Sequence, residues 1–188
     1  MIILITGTIA SGKGKVAELI KDKDFEHHSF SSIIRVVARE RGIKISRTNL
    51  SKLGRDLREE SEESILALRV MDHIKDFSKN YVIDGLRDLS ELFYVKKFGK
   101  QNNIPVYLIG IDAPQKVRFD RLKHRGRSGD PVTFEEFKKV DDLESHGNVG
   151  QEVGECLHHA DFILENVGSL DDLKDDIHHV LEEIQNKK

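Results

Sequence analysis

Two glycines five positions apart, with a lysine directly after the second, open the chain's chemistry: Gly7-Thr8-Ile9-Ala10-Ser11-Gly12-Lys13-Gly14-Lys15. This spacing turns successive backbone N–H groups inward onto an anion, and a following helix adds the positive end of its dipole. Lys13 supplies a point charge for the β- and γ-phosphates of a nucleoside triphosphate. The strict motif continues with Ser or Thr, whose hydroxyl binds Mg²⁺. Gly14 stands there instead, so one metal ligand is missing. The stretch from Gly7 to Lys15 predicts a triphosphate donor, ATP first, with Mg²⁺.

Transfer from such a donor needs a second anion pocket facing the first. Tyr81-Val82-Ile83-Asp84-Gly85-Leu86-Arg87 brings an acid and an arginine past the end of a buried strand, where open parallel sheets bind ligands. Asp84 would hold a water on Mg²⁺ or orient Lys13, and Arg87 would fork onto an acceptor phosphate. A surface turn with an exposed ion pair is the plain alternative. The densest basic cluster runs from Arg118 to Arg127. Arg121 and Arg125 are four apart and share a helix face, so both can neutralise charge on a transferring phosphoryl group. Ser128-Gly129-Asp130-Pro131 reads as a hinge, which predicts a small lid over about residues 125–145. A basic helix end favoured by its own dipole is the alternative. Arg35 follows a serine pair and would contact the acceptor, with Arg39 and Arg41 near by; Arg55 and Arg58 read as solvated. Residues 132–188 contain no arginine, so the far side of the lid has only lysines to offer.

These groups must be positioned by a regular frame. Ile2 to Thr6 is an unbroken apolar and β-branched run, as in a central strand buried on both faces. Further strands are expected at Phe25–Phe30, Tyr81–Asp84, Ile104–Ile111 and Phe162–Leu164. Helical periodicity marks Lys13–Lys21, a helix capped by Ser31 or Ser32 and running to about Arg41, Asn49–Glu60, Glu62–Phe77, Leu89–Phe98, Pro114–Lys123, Phe134–Leu143 and Leu170–Gln185. Ser169 with Asp172 makes a capping-box start. Strands alternating with helices predict an α/β fold of three αβα layers around a five-stranded parallel sheet. Residues about 30–80 form a helical excursion, which we take as part of one domain over 1–188.

Several of these segments resemble known kinases. Gly12-Lys13-Gly14 is the variant seen in adenylate kinases, and Asp84-Gly85-Leu86-Arg87 resembles their Asp-Gly-x-x-Arg stretch with one residue fewer. Ser31-Ser32-Ile33-Ile34-Arg35 resembles the acceptor-site helix of the same enzymes. Arg121-Leu122-Lys123-His124-Arg125-Gly126-Arg127 resembles the start of the lid in adenylate and dephospho-CoA kinases. Ala160-Asp161-Phe162-Ile163-Leu164-Glu165-Asn166-Val167-Gly168-Ser169-Leu170 resembles a segment of dephospho-CoA kinases and deoxynucleotide kinases. Together, over about residues 1–185, the chain resembles an archaeal-type P-loop family related to adenylate and dephospho-CoA kinases. The resemblance implies ATP and Mg²⁺ as cofactors and a nucleotide acceptor. It also implies an adenine pocket lined by Asn166, Val167 and Gly168, with Arg121 stacked on the base. A nucleoside monophosphate is the favoured acceptor, and dephospho-CoA the alternative.

Composition bounds the other classes. The chain has 188 residues and a net charge of −3, which argues against a DNA or membrane surface. No apolar run approaches the roughly 20 residues needed to span a bilayer, and the start lacks signal-peptide character. A cytoplasmic protein is expected. The single cysteine, Cys156, reads as a core residue, and the histidine pairs at 27–28, 158–159 and 178–179 as surface groups. No Asn-Lys-x-Asp motif supports a GTPase switch, whereas an ATPase acting on RNA or protein stays open as a second class.

Overall fold

The computed structural model describes residues 1–60, 64–126, 129–146 and 152–187. Arg127 and Ser128 of the expected lid lie outside the described residues. The first strand, β1 (Ile2–Gly7), is buried along its whole length. It pairs in parallel with β3 (Asn80–Asp84) on one side and β4 (Val106–Asp112) on the other. β2 (Phe25–Ser29) extends the sheet beyond β3, and β5 (Phe162–Glu165) beyond β4. The order is β2-β3-β1-β4-β5, all parallel. The expected fold class is therefore the observed one.

Alternation along β1 divides the core in two. Ile2 and Leu4 join Tyr81, Ile83 and Leu108 beneath the helices α2 (Phe30–Glu40), α3 (Arg47–Glu59), α4 (Ile65–Met71) and α5 (Leu89–Gln101). Ile3 and Ile5 face the opposite way, against α1 (Lys13–Lys21) and α9 (Leu170–Asn186). Helices on both faces explain why the central strands lack polar alternation. A third cluster, Ile9 with Leu122 and Phe137, packs the first loop against α6 (Gln115–Arg125) and α7 (Phe134–His146). Cys156 is buried in α8 (Val153–His158), a short helix with no forecast in the periodicity.

Boundaries move where local chemistry outweighs periodicity. Ser29, not Ser31 or Ser32, caps α2, its hydroxyl accepting from Ser32 N at 3.0 Å. Of the helix expected over Glu62–Phe77, Glu62 and Glu63 lie outside the described residues, and the described part is helical over Ile65–Met71, capped by Ser64. Ser169 and Asp172 form the capping box as expected. No helix among the described residues is long and apolar enough to cross a membrane.

The register brings Asp84, at the end of β3, opposite Ile5, and Ile111 opposite Gly7. The carboxyl ends of the three central strands thus surround the loop leaving β1. The chain leaves β1 towards β2 on one side, whereas the neighbouring β3 leaves towards β4 on the other, which opens the crevice where such sheets bind ligands.

Candidate functional site

The loop from Gly7 to Gly12 requires its glycines. Gly7 has φ +149° and Gly12 φ +107°. A Cβ at Gly7 would lie 2.1 Å from the Ile111 carbonyl oxygen, and one at Gly12 would lie 2.3 Å from Asn166 Nδ2. Ala10, at φ +60°, adopts the left-handed conformation without being glycine, a cost of about 1–3 kcal/mol that the surroundings must offset. Ser11 N donates to Thr8 O at 3.2 Å to close the turn, and Thr8 Oγ1 donates to Asp112 Oδ1 at 2.6 Å. Gly14 lies in the first turn of α1, and nothing stands within 4 Å of a Cβ there.

Lys13 reaches back under the loop. Its Nζ donates to Gly7 O at 2.5 Å and Thr8 O at 2.6 Å. Burial, with the like charge of Arg87, brings its pKa down from 10.5 to about 7, against the opposing pull of Glu144 and Asp84. Folding thus disfavours the ammonium. Between about pH 7 and 10.5 the unfolded chain holds the extra proton, so this group makes stability rise with pH across that window. A polyphosphate above the loop favours the charged form. We expect ATP binding at pH 8 to take up close to one proton, read by calorimetry in buffers of different ionisation enthalpy. Binding without proton uptake would contradict this placement of Lys13. Lys15 points elsewhere: its Nζ pairs with Glu18 at 2.9 Å, and its N–H already donates to Gly12 O.

One side of the loop meets the basic helix α6. Arg121 reaches Ser11 O at 3.4 Å and Asn166 Oδ1 at 3.3 Å, and Asn166 Nδ2 donates to Ser11 O at 2.8 Å. Asn166 thus packs over Gly12 from the turn after β5, while Val167 and Gly168 beside it are exposed. Arg118, one turn before Arg121, is buried. It donates to Ala113 O, to Ile9 O and through two nitrogens to Asp141 of α7. This bolt between loop, α6 and α7 has no signal in the sequence, because Arg118 and Asp141 are 23 residues apart.

The other side opens into a cavity of about 500 Å³ between the loop and α2–α3, within the range of small-molecule sites. Among the described residues Lys13, Arg35, Arg47, Arg58, Arg87 and Arg125 line it, with Asp130 and Glu144 the only acids among them. The arginines are organised by those acids. Arg87 lies 3.1 Å from Glu144 of α7. Asp130 receives Arg125 at 2.8 and 3.0 Å and also Arg47 of α3. Arg35 is exposed at the cavity edge. Asp84 sits at the end of β3, 3.5 Å from His27 Nε2, and its charge is felt at Lys13.

Two expectations are overturned. Arg58 is not solvated: its side chain is 3% exposed and pairs with the fully buried Glu91 at 2.8 Å. His28 is not a plain surface group: it is half-buried and stacks on His73 at 5.8 Å, whereas its neighbour His27 is exposed as expected, 3.5 Å from Asp84. Arg121 and Arg125 share a helix but serve different spaces, the first against the loop and Asn166, the second in the cavity. Arg47 was missed; its only sequence signal is its position two residues before the helix run called at Asn49.

A profile described as an AAA domain matches residues 3–144. A UPF0200 protein of Hyperthermus butylicus is 33% identical over 175 residues, covering 93% of this chain and 89% of the relative. The chain belongs to the UPF0200 family. The fold of this UPF0200 chain is that of P-loop kinases. Shikimate kinase from Aquifex aeolicus superposes over all of both chains with a TM-score of 0.58 at 15% identity. The APS kinase of Mycobacterium tuberculosis, in complex with AMPPNP and APS, superposes over 96% of each chain with a TM-score of 0.57 at 16% identity. At those identities the likeness is one of fold. The loop of this family is a nucleotide-binding P-loop.

Proposed function

We propose that this UPF0200 chain transfers the γ-phosphoryl group of ATP to a nucleotide-like acceptor, with a nucleoside monophosphate favoured over dephospho-CoA. The observation that carries the reading is the cavity beside Lys13, with five arginines among the described residues of its lining. A site for hydrolysis alone needs only water there; an arginine-rich chamber of this size suits a second anionic molecule. The APS kinase of similar fold holds AMPPNP and APS together, so one such fold accommodates a donor and a second ligand at once.

In this reading the loop N–H groups from Thr8 to Gly14 and the Lys13 ammonium bind the donor phosphates. Asn166, Val167 and Gly168 border the adenine, with Arg121 against it. Arg87, with Arg35, binds the acceptor phosphate, and Arg121 and Arg125 neutralise charge on the transferring group. An acceptor phosphate oxygen forms the new bond to the γ-phosphorus as the bond to the β–γ bridging oxygen breaks, leaving ADP. That oxygen is already anionic, so no general base is required. Closure of the lid expected over about residues 125–145 would exclude water and suppress hydrolysis.

Among the described residues no group of three or more His, Cys, Asp or Glu side chains could hold a metal ion. The donor set fits Mg²⁺ held mainly by phosphates, which keeps several of its waters. Asp84 would contact it through one of these. Bound there, Mg²⁺ supplies charge neutralisation at the β- and γ-oxygens.

Replacing Arg87 and its partner together, as Arg87→Met with Glu144→Gln, tests the acceptor assignment without leaving a lone carboxylate. Loss of a charged hydrogen-bond donor is worth about 1.5–3 kcal/mol. The acceptor KM is therefore expected to rise by roughly tenfold to a hundredfold, with the ATP KM little changed. An equal rise in both would place Arg87 on the donor or on the frame.

A further inference from the structure

Arg87 and Glu144 meet in the lining of the cavity, the first on the turn after β3 and the second on α7. Their ion pair spans 3.1 Å, with the Arg87 side chain 30% exposed and that of Glu144 12%. The carboxylate is poorly satisfied there. Oε1 faces Arg87, while Oε2 is buried with no hydrogen-bond partner among the described residues. An oxygen enclosed in this way gives up its water and receives no hydrogen bond in return, which makes the contact a costly one to hold. The same charge bears on Lys13, where it opposes the lowering of the lysine's pKa by burial. Asp130, the other acid of the lining, is better held: it accepts from Arg125 at 2.8 and 3.0 Å and from Arg47.

The position of α7 does not depend on this pair. One turn earlier Asp141 is bolted to Arg118 and Gln115, and Phe137 is fully buried against Ile9 and Leu122. Rotation of the Glu144 side chain alone would free Arg87 with that bolt intact. A carboxylate and a phosphate claim the same guanidinium fork. A phosphate brings more charge and a third acceptor oxygen, so it is the stronger claimant. Left in place, Glu144 would also repel it. A site whose competent form must first be uncovered binds more weakly by the fraction of time it is covered.

We propose that Glu144 is an internal competitor for the acceptor phosphate: its carboxylate holds the phosphate's place on Arg87 and so sets the affinity of the acceptor site. This rests on the reading of Arg87 as the ligand of that phosphate. The competition acts only on phosphorylated ligands. A nucleoside without phosphate makes no claim on Arg87 and is indifferent to Glu144.

Binding of AMP and of adenosine to the full chain is measured by calorimetry, with AMPPNP and Mg²⁺ present to fill the donor loop. Glu144→Gln keeps the length of the side chain and removes its charge. It is expected to bind AMP about tenfold or more tighter than the parent, with adenosine affinity and the thermal midpoint nearly unchanged. Glu144→Ala is expected to repeat the gain and stands in if the glutamine variant folds poorly. Asp142→Asn removes one charge from an exposed neighbour on α7 and is expected to leave AMP binding close to the parent's, since solvent screens that position. AMP that binds no tighter to the Glu144 variants overturns the proposal. So does an equal gain with Asp142→Asn or with adenosine, or AMP that binds to none of the proteins. Transfer from ATP to AMP is followed beside the binding. Tighter AMP binding without transfer overturns the kinase reading and upholds the role of Glu144; transfer with AMP binding unchanged does the reverse.

Discussion

Lys13→Ala is expected to lower phosphoryl transfer by about a hundredfold to a thousandfold, the usual effect of removing one preorganised group that stabilises transition-state charge. The lysine contributes more than a surface charge would, because it is enclosed beneath the loop with its Nζ on Gly7 O and Thr8 O. The same enclosure makes it an unfavourable place for a charge until phosphate arrives, which is why its pKa is about 7. Removal should therefore cost little stability: two hydrogen bonds are lost, but so is the burden of burying an ammonium. Rate and thermal midpoint are measured on the same preparation. A thermal midpoint within a few degrees of the parent, together with the large rate loss, assigns the effect to chemistry. Turnover close to the parent's would refute the loop as the donor site. Lys13→Arg should not restore activity, since a planar fork replaces a point donor between two backbone carbonyls.

Asp141→Ala is expected to have the largest effect on stability. Asp141 is buried and receives both terminal nitrogens of Arg118, with Gln115 Nε2 at 2.9 Å. Removing one member of a buried pair leaves an uncompensated charge and costs about 3–5 kcal/mol. For a domain of this size that is a fall in thermal midpoint of roughly 6–20 °C. The loss should not remain local, because Arg118 also holds Ala113 O and Ile9 O, the latter inside the phosphate loop. Nucleotide affinity should therefore fall with stability. Thermal denaturation with and without ATP measures both; an unchanged midpoint would show that this contact does not join α7 to the loop. An Arg118→Met, Asp141→Leu pair, which removes both charges, should recover much of the midpoint.

The sheet was legible because its signals are local. Ile2–Thr6 is an uninterrupted apolar run, and the Ser169–Asp172 box sits three residues apart in the chain. The phosphate loop was legible for the same reason, its glycines and lysine being contiguous. What escaped is long-range pairing. Arg58 and Glu91 are 33 residues apart, and Arg47 and Asp130 are 83 apart. Periodicity places Arg58 on a helix without saying that another helix supplies a buried acid opposite it. Likewise α8 is only six residues long, too short for a periodic pattern, yet Cys156 on it belongs to the core. The lack of arginines after residue 131 suggested a weakened site. The cavity instead draws Arg47 and Arg58 from α3, so cations come from the acceptor side of the crevice.

The central claim is that phosphate leaves ATP for an acceptor held among those arginines. Its most direct test follows the label from γ-³²P-ATP during incubation with Mg²⁺ and, in separate reactions, AMP, CMP, UMP, GMP, IMP and dephospho-CoA. The account predicts acceptor-dependent ADP formation, with label appearing in a phosphorylated acceptor in equal amount and little free phosphate. Label released only as inorganic phosphate, at a rate indifferent to every acceptor, would contradict it.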